Sequence, residues 1–390
     1  MLKQIRAVTA LNLNSIPRRV GSSSVIVIGI AGVVGVVVWT LGMSQSLSRA
    51  LVETGRPDRA IVLRAGARSE VASSLSVDAI VTVENAPGIA TTSAGRAASG
   101  EMLTAVNLLR KEDGTRAGLT VRGVSTEHTA VRPELALIEG RMFQPGLREM
   151  IAGRSAQSEF QGLEIGSRIG LRDSEWTIVG IFTTGGDAHE SSVMVDADTL
   201  LSAYGRTAVN SMTVLLDSAA AFDEFKTALT TNPTLSVSVE RESDYFSRQS
   251  ENSGQIFRIV TTWVSGFMAL GALLAALNTM YSAVSSRTVE IATLRAMGFG
   301  ASGVVISVLA EALVLAVFGA LIGAGVAWAL WSGNTMTLGG NVNSMVFEMR
   351  ITPALIGTGI VWACAVGLIG GLFPAVRAAR LPVATALRAV

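Results

Sequence analysis

Cysteine occurs once in this 390-residue chain, as Cys364, and histidine twice, as His128 and His189. A lone cysteine excludes a disulfide framework and a cysteine-built zinc site. Two histidines leave little for a histidine metal cluster or for histidine-based catalysis. Charge is scarce as well, at 16% of residues against about a quarter in soluble domains. The basic residues are nearly all arginine, with lysine only at Lys3, Lys111 and Lys226. A net charge of +1 gives no electrostatic footprint for nucleic acid. There is no GxxxxGK(S/T) phosphate loop, so ATP is not bound in that way, and no HExxH or spaced Cys/His set points to a catalytic metal. Neither a cofactor nor a catalytic role is expected of the chain itself.

What is abundant is apolarity, with 49% hydrophobic residues and a mean hydropathy of +0.47. A bilayer core of about 30 Å takes roughly 20 apolar residues to cross as a helix. Four segments qualify: 24–47, 256–285 with an outer stalk, 303–331, and 353–373 between Pro353 and Pro374. Between the first two lies 48–255, of ordinary soluble composition. The expected fold class is a membrane protein with four transmembrane α-helices and a large α+β periplasmic domain inserted between helices 1 and 2. A cleaved signal peptide fits the first run poorly, because its leading segment is long and no small-x-small site follows closely.

Orientation follows from the flanks. Lys3, Arg6, Arg18 and Arg19 precede the first span, Arg287 and Arg295 separate the second from the third, and Arg377, Arg380 and Arg388 follow the fourth. The stretch 332–352 has only Arg350. Positive flanks are cytoplasmic, which puts 1–23, 286–302 and 374–390 inside, with 48–255 and 332–352 outside. Gly319 with Gly323, Gly367 with Gly371, and Gly29, Gly32 and Gly35 recur at helix-packing intervals. Packing within one bundle or between two copies explains them equally.

In the outer domain, runs rich in Val, Ile, Leu and Thr predict strands at 60–64, 101–109, 119–124, 175–182, 211–216 and 235–240. Phe222, Phe225 and Leu229 share one face of a helix over 218–229, which makes a split β-α-β unit over 211–240. Glycines mark a second lobe at 133–205. Polar but helix-compatible sequence at 44–53 and from Ser243 onward prolongs spans one and two outward, as a rod. His189, in TTGGDAHESS beside Asp187, Glu190, Ser191 and Ser192, evokes a hydrolase. It lacks a nucleophile elbow and a second histidine, so a polar, glycine-rich surface loop is the expectation. His128 reads as a solvated loop histidine. Glu311 is an acid inside a span, a functional candidate by default, here expected to pair with a basic neighbour such as Arg287.

The most informative stretch is 278–300, NTMYSAVSSRTVEIATLRAMGFG. A short amphipathic helix follows the second span and ends at Gly298. Arg287 and Glu290, three apart, share a face. Ile291, Leu294 and Met297 line another, an apolar patch that nothing in this chain is expected to cover. Such a face beside charges at a membrane surface suits docking onto another protein. A helix lying flat on lipid headgroups is the plainer alternative.

SSRTVEIATLRAMG resembles the R-x-x-E-I-x-x-L-R-A-x-G signature of FtsX-like permeases, the membrane subunits of MacB-type ABC transporters. GLFPAVRAARLPVATALR, at 371–388, is similar to that family's closing motif, with one residue fewer between Leu and Pro. LNSIPRRVGSSSVIVIGIAGVVG resembles its first span, ERESDYF its stalk entry, and EGRMF and WTIVGIF its periplasmic core. The likeness covers nearly the whole chain. It implies a permease homodimer, or a heterodimer with a sister permease, in the lipid bilayer of a bacterial inner membrane, both termini cytoplasmic. It implies a separate ABC ATPase subunit that binds the ATP, since only 1–23 precede span one whereas MacB-type exporters carry an N-terminal ATPase. Carried over residue by residue, ATPase coupling falls to Arg287, Glu290, Ile291, Leu294, Arg295, Ala296, Met297 and Gly298, supported by Arg377 and Arg380. The implied function is to relay ATP-driven motion to the periplasmic domain for export or extrusion, with a periplasmic adaptor and an outer-membrane duct as partners. A mechanical signalling permease that activates a periplasmic enzyme, and a lipoprotein-releasing permease, share the topology.

Overall fold

The computed structural model describes residues 20–92, 95–286, 288–297, 300–339 and 344–380. The chain divides into two compact units, one of 1–45, 255–333 and 350–390, the other of 46–254 and 334–349. Helix α1 spans Val20–Thr54. After it come β1 (Arg59–Arg64), α2 (Val77–Glu84), β2 (Thr91–Thr92), β3 (Gly95–Arg96), β4 (Ala98–Leu109), β5 (Arg116–Val124) and α3 (His128–Val131). The next stretch holds β6 (Ala136–Gly140), β7 (Glu149–Gly153), α4 (Arg154–Glu159), β8 (Arg168–Leu171), β9 (Ser174–Thr183), β10 (Ser192–Asp196) and α5 (Ala197–Tyr204). Then follow β11 (Ser211–Leu215), α6 (Phe222–Thr230), β12 (Val237–Arg241), α7 (Glu242–Ser286), α8 (Thr288–Ala296) and α9 (Ala301–Trp331). The chain closes on β13 (Thr335–Gly339), β14 (Ser344–Glu348) and α10 (Pro353–Ala379).

Among the described residues, one sheet takes twelve strands, in the order β12-β1-β11-β4-β5-β10-β7-β9-β6, with β8 on β9 and the β13–β14 hairpin beside β5. The split β-α-β unit is present: β1 lies antiparallel between β11 and β12, and α6 connects those two. Phe225 and Leu229 of α6 are buried together with Val62, Val214 and Val239, the apolar stripe that the sequence pattern placed there. The 133–205 stretch contributes β6 to β10 to the same sheet. Its core of Trp176, Phe160 and Ile178 also takes Met102, Leu119 and Val121 from β4 and β5. Helix boundaries follow local chemistry. Ser76 accepts the Ala79 N–H to start α2, and Gly205, at φ 60°, ends α5 in the left-handed region that glycine tolerates. At 332–352, where the sequence reading sees a bare loop, the structure has the β13–β14 hairpin. Its Val346 joins the core of the sheet.

Helices α1, α7, α9 and α10 each hold a stretch long and apolar enough to cross a membrane. Glycines set their spacing. A Cβ on Gly319 would come within 2.8 Å of the Val27 carbonyl oxygen, and one on Gly323 would run into the Ala31 backbone. Gly371 meets the Ala312 methyl in the same way. These glycines therefore pack α9 against α1, and α10 against α9, inside one chain. The fourth apolar helix does not stop at Pro374, as expected, but continues to Ala379. Proline costs one backbone hydrogen bond and crowds the carbonyl four residues back, which here belongs to Gly370, without a side chain to hinder adjustment. Ala375 and Ala378 then pack with Val284, Val304 and Val308, which offsets the lost bond.

Candidate functional site

The segment after the second apolar helix folds as α8. Arg287 and Gly298 lie outside the described residues, as do the side chains of Glu290 and Leu294. Ile291 corrects the expectation of an uncovered patch. It is 7% exposed and packs with Val284, Val304, Val308, Ala375 and Ala378, because the extension of α10 beyond Pro374 supplies the cover. Ala292 is buried beside it, whereas Val289 and Met297 are exposed. Ala296 is exposed, and Arg295 is half-buried and engaged. The helix thus has one face sealed into its own bundle and another, carrying Val289 and Met297, open. Arg377, in the last turn of α10, holds its guanidinium 5.5 Å from the Tyr281 ring centroid, while Arg380 is exposed at the C-cap. Glu311 is buried in α9 and engaged.

The unit that contains the sheet holds a site the sequence reading missed. Arg59, on β1, is 1% exposed; its Nε lies 2.8 Å from a Glu242 carboxylate oxygen as an ion pair, and its NH1 donates to Glu134 at 2.6 Å. Arg132 donates NH2 to the other oxygen of Glu242 at 2.5 Å, and the Arg56 backbone N–H adds a contact at 3.2 Å. Glu242 is the first residue of α7. Negative charge is favoured there by the unpaired N–H groups of a helix start. On the next strands, Arg122 of β5 reaches Glu70 at 2.9 Å and also contacts Glu101 of β4. Burial pushes Glu101 up, but Arg122 and its neighbours more than offset this, so its carboxyl sits well below the usual range. The signal was visible as charged residues inside apolar strands, in SGEMLT and LTVRGV.

Both histidines are buried at 1% exposure, which overturns the surface-loop reading of His189 and the solvated reading of His128. His128 Nδ1 lies 3.3 Å from the Ser99 hydroxyl. Desolvation lowers its pKa to about 3, outweighing the attraction of Glu101. His189 is held well below its ordinary value by burial and by Arg132 and Arg122. Neither ring nitrogen of His189 has a hydrogen-bond partner. The nearby serines are committed elsewhere: Ser191 donates to the Val346 carbonyl at 2.5 Å and Ser192 to the His189 carbonyl at 2.7 Å. Among the described residues no serine is therefore paired with His189. The loop closes inward because Glu190 accepts from Thr183, Thr184, Gly186 and Ser155, and Asp187 accepts the His189 and Glu190 N–H groups.

Residues 22–232 match the model of the MacB-like periplasmic core domain, and residues 263–383 that of the FtsX-like permease C-terminal region. The macrolide export ATP-binding/permease protein MacB of Bdellovibrio bacteriovorus is 24% identical over 394 residues. That alignment covers 93% of this chain and 58% of that protein, so the chain spans a little over half the length of this curated relative. Two solved structures are similar at low scores. The periplasmic region of MacB from Actinobacillus actinomycetemcomitans gives a TM-score of 0.38 at 13% identity, covering 52% of this chain and 96% of that one. The extracellular domain of the noncanonic ABC-type transporter YknZ from Gram-positive bacteria gives 0.36 at 14%, covering 47% and 99%.

Proposed function

The chain belongs to the FtsX-like, MacB-type family of ABC transporter permeases, and from that premise we propose that it relays ATP-driven motion of a separate ATPase subunit to its extracytoplasmic domain, for export or extrusion of substrate. It is a multi-pass membrane protein with an extracytoplasmic MacB-like domain. The reading places it in a bacterial inner membrane with both termini cytoplasmic, as a homodimer or a heterodimer with a sister permease. A periplasmic adaptor and outer-membrane duct complete the proposed path.

The observation that carries this reading is the continuity of α7. One helix of 45 residues begins at Glu242, clasped by Arg59 and Arg132, and ends at Ser286, directly before α8. At 1.5 Å per residue it is about 68 Å long. In the proposal this helix, fixed at its start by two buried ion pairs, is the path along which displacement is carried. In the proposed mechanism α8 docks on the ATPase through its open face, with Arg287, Glu290, Leu294, Arg295, Ala296, Met297 and Gly298 as the coupling residues. Ile291 anchors α8 to its own bundle, and Arg377 and Arg380 support the same surface.

The test is co-purification of the ATPase with variants of α8. Glu290→Lys reverses a charge and Met297→Asp puts a carboxylate on the open face, and each is expected to release the ATPase or uncouple turnover from transport. The loss at such a contact is about 2–5 kcal/mol where the charge pair is buried. A helix lying on lipid would respond oppositely to the two changes, since Glu290→Lys strengthens attraction to anionic headgroups. Wild-type ATPase binding and transport in both variants would remove the coupling assignment.

A further inference from the structure

A cavity of about 260 Å³ opens in the sheet-bearing unit where seven parts of the chain converge. Its apolar side is formed by residues that include Leu47 and Leu51 of α1, Leu103 of β4, Phe246 of α7, and Leu338 and Met345 of the hairpin. Glu70, Arg122, Tyr245 and Gln249 line it as well.

Two carboxylates share one guanidinium here. Arg122 contacts both Glu70 and Glu101, and Glu101 has no exposed side-chain surface while Glu70 keeps 9%. Glu70 Oε1 accepts from Arg122 and from the Ser211 hydroxyl, each at 2.9 Å. Its Oε2 has Arg122 only at 3.4 Å, the long end of hydrogen-bond range, and so retains acceptor capacity. Arg132 is hydrogen-bonded to Glu242 and acts on Glu101 through space, and His128 beside Glu101 is neutral. Arg122 is thus divided between two carboxylates, which leaves Glu70 with part of one guanidinium, and a cationic donor seated at Oε2 completes its pairing. Aromatic rings favour cations too, and Tyr245 and Phe246, packed edge to face at 5.2 Å, border the same space.

We propose that this cavity binds a small cationic amphipath, with its ammonium group at Glu70 Oε2 beside Tyr245 and its apolar body against Leu103, Phe246 and Leu338. The site touches α1 and α7 together, so a bound molecule bridges the outer parts of both helices. It stands apart from the ATPase reading, because binding to this chain requires no nucleotide.

The experiment uses the full chain in nanodiscs of zwitterionic lipid, titrated calorimetrically with 4-phenylbutylamine, 4-phenylbutanol and 4-phenylbutyrate, with empty discs subtracted. The amine is expected to bind saturably at one site per chain, at least tenfold tighter than the alcohol, and the carboxylate not to bind. Glu70→Gln should cut the amine's advantage to under threefold. Leu338→Trp, which fills the cavity from the hairpin and leaves the ion pairs intact, should abolish binding of both amine and alcohol. Melting temperatures report whether each variant folds. Absence of saturable amine binding, equal affinity for the three probes, or unchanged amine binding in folded Leu338→Trp would each overturn the proposal. None of these results depends on the ATPase, so loss of this site and loss of the relay mechanism are separable.

Discussion

His128 and His189 are the residues whose behaviour departs furthest from their sequence context, and both have a consequence in pH. Each is buried and neutral with a folded pKa below its ordinary value of 6.5. Between that value and the folded one the unfolded chain binds more protons than the folded chain. Stability therefore rises with pH in this window and is lost as pH falls from about 6.5 toward 3. Glu101 acts in the same direction at lower pH, since its depressed carboxyl contributes stability above about 4.5 that is lost on acidification. One fully shifted histidine contributes about 1.4 kcal/mol per pH unit. The expected outcome is a fall of about 2 kcal/mol per histidine, about 4 kcal/mol in all, in unfolding free energy of the sheet-bearing unit between pH 7 and 5. His128→Gln should show a shallower slope in urea unfolding followed at both pH values. An identical slope in that variant would mean His128 is not held neutral in the fold.

At the scale of elements, α7 is fixed at its first residue and α9 along its small-residue seam. Glu242 joins Arg59 and Arg132, and its replacement by Gln leaves two buried guanidinium groups short of a counter-charge. Removal of one partner from a buried pair costs about 3–5 kcal/mol. Glu242→Gln is thus expected to lower the unfolding midpoint of the full chain sharply, while Arg49→Gln, which breaks an exposed pair with Glu53 at 2.7 Å, should change it by under about 1 kcal/mol. The seam responds to size. Gly323→Leu drives a side chain into the Ala31 backbone and should destabilise the helical unit by about 1–3 kcal/mol. Gly325→Leu, where a Cβ meets nothing within 4 Å, should be tolerated. Equal melting of the two leucine variants would rule out the close approach of α1 and α9.

For the molecule as a whole the decisive quantity is sidedness. The proposed orientation, read from the arginine flanks, has the sheet-bearing unit outside and α8 inside. Labelling sites follow from exposure. Ser191 is unsuited because its hydroxyl is buried against Val346, whereas Asp173 and Ala296 are exposed. In a Cys364→Ser background, Asp173→Cys is expected to react with a membrane-impermeant maleimide in intact cells depleted of the outer membrane, and Ala296→Cys only after lysis. Equal reactivity before lysis would break the topology.

The fold class was readable from composition. Apolar runs, arginine flanks and a long soluble insert are compositional, and hydrophobic burial acts on composition before any tertiary contact forms. The split β-α-β unit was readable as well, since the stripe Phe222, Phe225 and Leu229 is local periodicity. The helix Thr288–Ala296 was legible as local periodicity, within a stretch that resembles the family's signature. Only the tertiary structure decided that Ile291 is covered, because the cover comes from Ala375 and Ala378, over eighty residues later and beyond a proline that marks a helix end when read locally. The same holds for the histidines and for the Arg59, Arg122, Arg132, Glu101 and Glu242 network. Burial and pairing of a charge are properties of residues far apart in the chain, Arg132 and Glu242 among them, and no local pattern encodes which strand will lie beside which.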